Sequence, residues 1–336
     1  MRTCICWVSQ HTPMSNNIAK VLKFDTNLTI AQLQGKSVAI DLMPLLYAYL
    51  YVGKMDSAQG PLSHNGVVTS YLFGILNYLG RLRQKNIDCW VCLDGFSPDI
   101  KQLTVKARKL NRSTTVKWYR SKIDAGVQLS PAQWRRYNCA LYYIGQWQLC
   151  YATELLTMLG YRVFRANGIE AEALCAWLKK NNLVDHICST DKDLVLYSCD
   201  FLNYMDPVLG VVSYDEKANM DALGITDRAD FLLAAIAAGT DYHPGLPGVA
   251  GKTALKLLQK DRGSLQARVL DEIHNYRDIQ SYLTLGFIDQ QCATTVKSMA
   301  SVTPIPSQWT TLYDRLQALN FAPVTIKKLL QMHSIQ

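Results

Sequence analysis

Several features that mark other protein classes are missing from this sequence. No apolar run approaches the roughly 18–20 residues of a membrane span, and the longest, Phe231 to Ala238, has only the length of a core helix. The opening MRTCICWVSQHTP lacks the apolar segment of a secretory leader, so none is expected. The 10 cysteines among 336 residues follow no framework spacing, and no second CxxC or CxxH stands at zinc distance from Cys89 and Cys92. Those two lie in the apolar run IDCWVCLD, which reads as a strand with the pair on opposite faces. Reduced, packed thiols in an intracellular protein are therefore expected. Charged residues are sparse, at 18% against 49% hydrophobic. That balance excludes a disordered chain and suits one large domain or two with a real core.

Acid is missing from one stretch in particular. Between Lys101 and Arg136 stand Lys101, Lys106, Arg108, Lys109, Arg112, Lys117, Arg120, Lys122, Arg135 and Arg136, against the single acid Asp124. That segment carries +9 of a formal net charge of +8, so the remaining 300 residues together carry −1. Trp118, Tyr119 and Trp134 lie among the charges. Cations beside aromatics suit a nucleic-acid backbone with exposed bases, whereas an ordinary charged run is a solvated helix face.

Along the chain, strands are expected at 36–42, 87–94, 161–166 and 184–190, with helices at about 66–84, 146–159 and 170–180. The alternation predicts an α/β fold with a doubly wound, mostly parallel sheet, turning helical from about residue 227. Ligands of such sheets bind beyond the carboxyl ends of the strands. Asp41 closes the first strand, Asp94 the second, Glu170 and Glu172 follow the third, and Asp191 and Asp193 follow the fourth. Asp241 ends an apolar helix in AAGTDYHPG. A lone acid after a strand is often a helix cap; three strands delivering Asp to one edge are harder to dismiss. Carboxylates so gathered repel one another and select hard cations such as Mg²⁺ or Mn²⁺. Two such ions about 4 Å apart activate water against a phosphodiester. Beside the basic stretch, the implied substrate is a nucleic acid.

The blocks AIDLMPLLY (39–47), LDGFSPDIKQLTVKARKLNR (93–112), LLTMLGYRVFRANGIEAEALCAWL (155–178), STDKDLVLYSCD (189–200) and AAGTDYHPGLPGVAGKTALKLLQK (237–260) resemble, in order, the flap endonuclease/XPG-type structure-specific 5′ nucleases. The resemblance implies a PIN-like core over 14–230 with a helical arch at about 98–145. It also implies a helix–hairpin–helix duplex grip at 231–270 and a C-terminal helical region at 271–336. It assigns metal-ligand roles to Asp41, Asp94, Glu170, Glu172, Asp191, Asp193 and Asp241, holding two Mg²⁺ ions that Mn²⁺ can replace. Lys101 and Arg108, seven apart on one helical face, match the family's catalytic basic residues, and Tyr47 matches an aromatic that stacks on a base. Arg112, Lys117 and Arg120 join the arch's nucleic-acid contacts, and Gly248, Gly251, Lys252 and Lys256 those of the hairpin, which could hold K⁺. His243 is assigned a local structural role.

Two departures stand out. Thirteen residues precede Met14, where the family start aligns better, and KKLLQMHSIQ shows no sliding-clamp peptide. The expected protein is a monomeric Mg²⁺-dependent flap endonuclease or 5′ exonuclease acting on branched DNA in replication, repair or recombination. It has no membrane association, and its expected compartment is the nucleus or a viral replication site. The alternative is an mRNA-degrading nuclease: Asp41, Leu42 and Tyr47, together with STDKDLVLYSCD and TDYHP, also resemble herpesviral host-shutoff nucleases. A decayed, non-enzymatic scaffold is disfavoured because all seven acids are retained.

Overall fold

The computed structural model describes residues 17–25, 28–64, 66–166, 168–206, 210–286, 309–319 and 321–333. The proposed Met14 start and the parts of the C-terminal region at 287–308 and 334–336 lie outside them. The core is a six-stranded sheet built from β1 (Ser37–Asp41), β2 (Asp88–Cys92), β3 (Arg162–Phe164), β4 (His186–Cys188), β5 (Phe201–Asp206) and β6 (Gly210–Tyr214), in the order β6-β5-β4-β1-β2-β3. Every pairing is parallel except the antiparallel β5–β6 edge. The first four strands fall inside the expected segments. The β5–β6 pair was not expected, because FLNYMD and GVVSY carry no stronger alternation than the loops around them.

Helices cover both faces. On one face pack α1 (Met43–Leu50), α2 (Ser70–Gln84) and α5 (Gln146–Met158). On the other pack α6 (Ala171–Lys180) and α8 (Arg228–Ala238), with α7 (Glu216–Leu223) lying between them in the chain. The strands are buried on both sides, so they read as continuous apolar runs. Register divides the CxxC: Cys89 joins one core and Cys92 the other, as a two-residue period requires, and both are free thiols. The helix expected from 66 begins instead at Ser70, because Val67–Val68 first pair with Ser63–His64.

The basic stretch forms an arch. Helix α3 (Gln102–Asp124) follows a 3₁₀ turn at Asp99–Lys101, and α4 (Pro131–Leu141) returns behind a Ser130–Gln133 capping box. At 23 residues, α3 is about 34 Å long and buries only Tyr119. The aromatics expected to meet bases divide here. Tyr119 packs edge-on against Trp118 and Tyr137, at ring distances of 4.6 and 6.1 Å, and so ties α3 to α4. Trp118 stays 49% exposed beneath the Lys122 ammonium. Two aromatics three or four residues from several helical neighbours cannot be sorted by sequence; the partner helix decides which is covered.

Beyond α8 come α9 (Gly251–Lys260), α10 (Arg262–Glu272) and α11 (Tyr276–Leu283), then α12 (Trp309–Ala318) and α13 (Pro323–His333). Helix α13 returns onto α2, where buried His333 meets the Leu76 carbonyl through Nε2 and the Tyr161 hydroxyl through Nδ1, each at 2.9 Å. Burial and the nearby Arg83 guanidinium push its imidazole down to about 4. Among the described residues no helix is long and apolar enough to cross a membrane.

Candidate active site

The strand order reverses direction at β1, so the crevice beyond its carboxyl end is the natural ligand site. Asp41 is the last residue of β1 and is 2% exposed. Its Oδ1 accepts the Met43 amide at 3.1 Å, and its Oδ2 accepts the Ser189 hydroxyl at 2.7 Å. Asp94 follows β2, and its Oδ1 accepts the Ala171 amide in the first turn of α6 at 2.9 Å, a helix N-terminus that favours an anion. Glu170 stands at the N-cap position of α6 without a side-chain capping bond, and Glu172 lies in the first turn, both buried. Asp191 caps the 3₁₀ turn after β4 and accepts the Asp193 amide at 2.9 Å.

Asp241 arrives by a tight turn after α8. Gly239 and Gly245, at φ +100° and +85°, lie with their backbones in contact: a Cβ on Gly245 would stand 2.5 Å from the Gly239 nitrogen. No side chain fits there, which makes both glycines necessary for presenting Asp241. His243 holds the same turn, its Nδ1 accepting the Gly245 amide at 3.1 Å, which supports its local structural role.

Two cations from the arch reach this edge. The Lys101 ammonium, on a residue 8% exposed, contacts Glu170 Oε1 and lies 3.1 Å from Asp241 Oδ2. Arg108 Nη2 donates to both oxygens of Asp241 at 2.8 Å. Thr104, on the same face of α3, donates to the Asp241 carbonyl at 2.7 Å. Burial alone would lower the Lys101 ammonium, but Glu170, Glu172 and Asp241 hold it well above its usual value.

The acids interact as one group. Burial, then Asp94, raises the Asp41 carboxyl well above the ordinary range. Burial, then Glu170, pushes Asp94 up to about 6 and also raises Glu172. Burial raises Asp191 against the opposing Asp193 amide. Such shifts mark a pocket with less positive charge than its acids call for. The donor set is carboxylate oxygen throughout, so the residues fit hard divalent ions. Among the described residues, however, no three of these acids stand as a closed ligand set. Lys101, drawn between Glu170 and Asp241, occupies the position where positive charge is wanted.

The remaining expected residues sit farther out. Tyr47, half-buried on α1, packs 6.2 Å from Tyr51, and burial raises its phenol. Arg112 lies one turn beyond Arg108, its guanidinium 4.5 Å over the Tyr143 ring. Lys117 and Arg120 are exposed on the distal half of α3, away from the acids. Gly251 opens α9 and is buried, whereas Gly248, Lys252 and Lys256 are exposed. Several contributors were not expected from sequence. The Tyr242 hydroxyl donates to Glu170 Oε2 at 2.7 Å, and the Tyr282 hydroxyl accepts the Glu170 amide at 3.2 Å. Tyr242 adjoins Asp241 and Ser189 lies two residues before Asp191, so proximity in sequence could have suggested both. Tyr282, 112 residues from Glu170, carries no such signal.

A model of the XPG I-region matches residues 161–241, which include five of the seven acids. The chain is 28% identical over 256 residues to flap endonuclease 1 of Methanobrevibacter smithii, covering 74% of this chain and 77% of that protein. It is likewise 28% identical over 275 residues to flap endonuclease 1 of Methanocella arvoryzae, covering 76% and 78%. Flap endonuclease-1 from Methanococcus jannaschii superposes with a TM-score of 0.64 at 20% identity, over 93% of this chain and 95% of that one. The catalytic core of Rad2 in complex with DNA substrate does so at 0.61 and 19%, over 94% and 98%. Matched sequence and shared fold thus run through the same segments that build the acidic edge, and the chain is similar in sequence and in fold to the flap endonuclease/XPG nucleases.

Proposed function

We propose that this protein is a Mg²⁺-dependent, structure-specific 5′ flap endonuclease and 5′–3′ exonuclease acting on branched DNA. The observation that supports the reading is the mutual electrostatic influence of Asp41, Asp94, Glu170, Glu172, Asp191 and Asp241 beside the ion pairs of Lys101 with Glu170 and Asp241 and of Arg108 with Asp241. Flap endonuclease 1 relatives and the DNA-bound Rad2 core point to the same substrate class.

Two Mg²⁺ ions held by Asp41, Asp94, Glu170, Glu172, Asp191, Asp193 and Asp241, replaceable by Mn²⁺, would supply an activated water and charge stabilisation at the leaving oxygen. Lys101 and Arg108 exchange their carboxylate contacts for the scissile phosphate and stabilise its charge in the transition state. The hydrogen bonds from Ser189 and Tyr242 and from the Met43 and Ala171 amides hold Asp41, Glu170 and Asp94 in one orientation. Tyr47 stacks on a base beside the scissile phosphate. Arg112, Lys117 and Arg120 line the path of the single strand. Exposed Lys252 and Lys256, with the loop at Gly248 and Gly251, grip the duplex backbone, and a K⁺ ion in that loop belongs to the same reading.

The test is a cleavage assay with Mg²⁺ on a 5′-flap DNA and a matched structured RNA, with Asp191→Ala as control. Cleavage at the flap base, lost by orders of magnitude in Asp191→Ala while binding persists, is the expected result. RNA cleavage with an untouched flap would replace this reading with a message-degrading nuclease. Activity surviving in Asp191→Ala would overturn the site itself.

A further inference from the structure

Where the chain leaves α4 and enters α5, an open pocket of about 300 Å³ is walled by Leu50, Val67, Tyr71, Tyr142, Tyr143 and Trp147. None of the residues expected to act in cleavage lines it. We propose that this pocket takes an unpaired nucleobase of the substrate strand, an inference that rests on the nuclease reading above.

The walls are the first argument. Trp147 is 53% exposed, Tyr143 49% and Val67 37%, so a cluster of large apolar side chains is left open to solvent around one concavity. A nucleobase offers two flat faces for such rings, and stacking of that kind is tolerant of sequence. The rings are also held in place. Trp147 stands edge-on to Tyr151 at 6.0 Å and 88°. Gln148 accepts the Gly145 amide at 2.9 Å and donates to the Tyr143 carbonyl at 3.4 Å, and so fixes the loop that carries Tyr143.

The second argument is charge and position. Among the described residues no acid lines the pocket, and the Arg112 guanidinium lies on the Tyr143 ring at its rim, where it would meet the phosphate of an inserted nucleotide. Arg112 is four residues, about 6 Å along α3, from Arg108, which grips Asp241. One helix face thus joins the acidic edge to the aromatic pocket. The unpaired strand that reaches the acids has its next support there.

The experiment measures binding by fluorescence anisotropy in EDTA. It sets a labelled duplex with an unpaired 5′ extension, DNA in one arm and RNA in the other, beside the same duplex with blunt ends. Trp147→Ala and Tyr143→Ala should each weaken binding of the extended duplex about 5- to 150-fold, the range of one base–aromatic stack, and leave the blunt duplex unchanged. Both side chains are exposed, and an unaltered melting temperature verifies the fold of each variant. Unchanged affinity for the extended duplex, or equal losses on both duplexes, would overturn the pocket assignment. The nuclease reading fails on a different observation, the absence of Mg²⁺-dependent cleavage by the wild-type protein.

Discussion

Lys101 supports the most demanding prediction. Its ammonium is buried between Glu170 and Asp241, with Glu172 also acting on it. Lys101→Met keeps much of the side-chain volume and removes the charge. Deleting one partner of a buried ion pair costs about 3–5 kcal/mol, because the remaining charges lose their compensation. The unfolding entropy of a 336-residue chain is about 0.7 kcal/mol/K, at roughly 2 cal/mol/K per residue. The melting temperature in EDTA should therefore fall by about 4–7 °C. A divalent ion offers the same acids an alternative source of positive charge, so a Mg²⁺ titration should recover much of the loss. An ion at 100 times its dissociation constant contributes about 2.7 kcal/mol. The variant should also bind Mg²⁺ more tightly than wild type, since a competing cation is gone, while turning over more slowly. Differential scanning fluorimetry across a Mg²⁺ series reads both effects. An unchanged melting temperature in EDTA, together with an unchanged Mg²⁺ midpoint, would refute the view of Lys101 as the cation that now serves the acidic edge.

Asp94→Asn tests the electrostatics from the other side. The Asp94 carboxyl is raised from 3.8 to about 6 in the folded protein. The stability it contributes is therefore fully present below about pH 3.8 and lost as pH rises through 6. In EDTA at pH 7.5 the neutral Asn variant should be more stable than wild type, by up to about 3 kcal/mol, and the gap should shrink to about 1 kcal/mol by pH 4.5. Chemical denaturation at the two pH values decides it, and a gap independent of pH would contradict the raised carboxyl. At the hairpin, Lys252→Ala should weaken duplex binding and lower the slope of log affinity against log salt by about 1. A slope equal to wild type would remove that contact.

Sequence alone carried the strand-following acids. Asp41, Asp94, Asp191 and Asp193 are legible because a parallel strand announces itself as an apolar run and its carboxyl end must lie at one edge of the sheet. The concentration of positive charge in 101–136 was equally plain, since charge density needs no partner to be counted. Sequence could not say which aromatic of the arch is buried, because Tyr119 and Trp118 differ only in which one faces α4. Nor could it reveal that Lys101 and Arg108 lie on the acids themselves, that Tyr282 supports the Glu170 amide from 112 residues away, or that Tyr71, Tyr143 and Trp147 enclose a pocket. Local pattern reports what a residue's own helix or strand does with it. Contacts between elements far apart in the chain depend on how those elements pack, and here only the packed structure decided which charges are paired and which buried hydroxyls, among the described residues, are left without a partner.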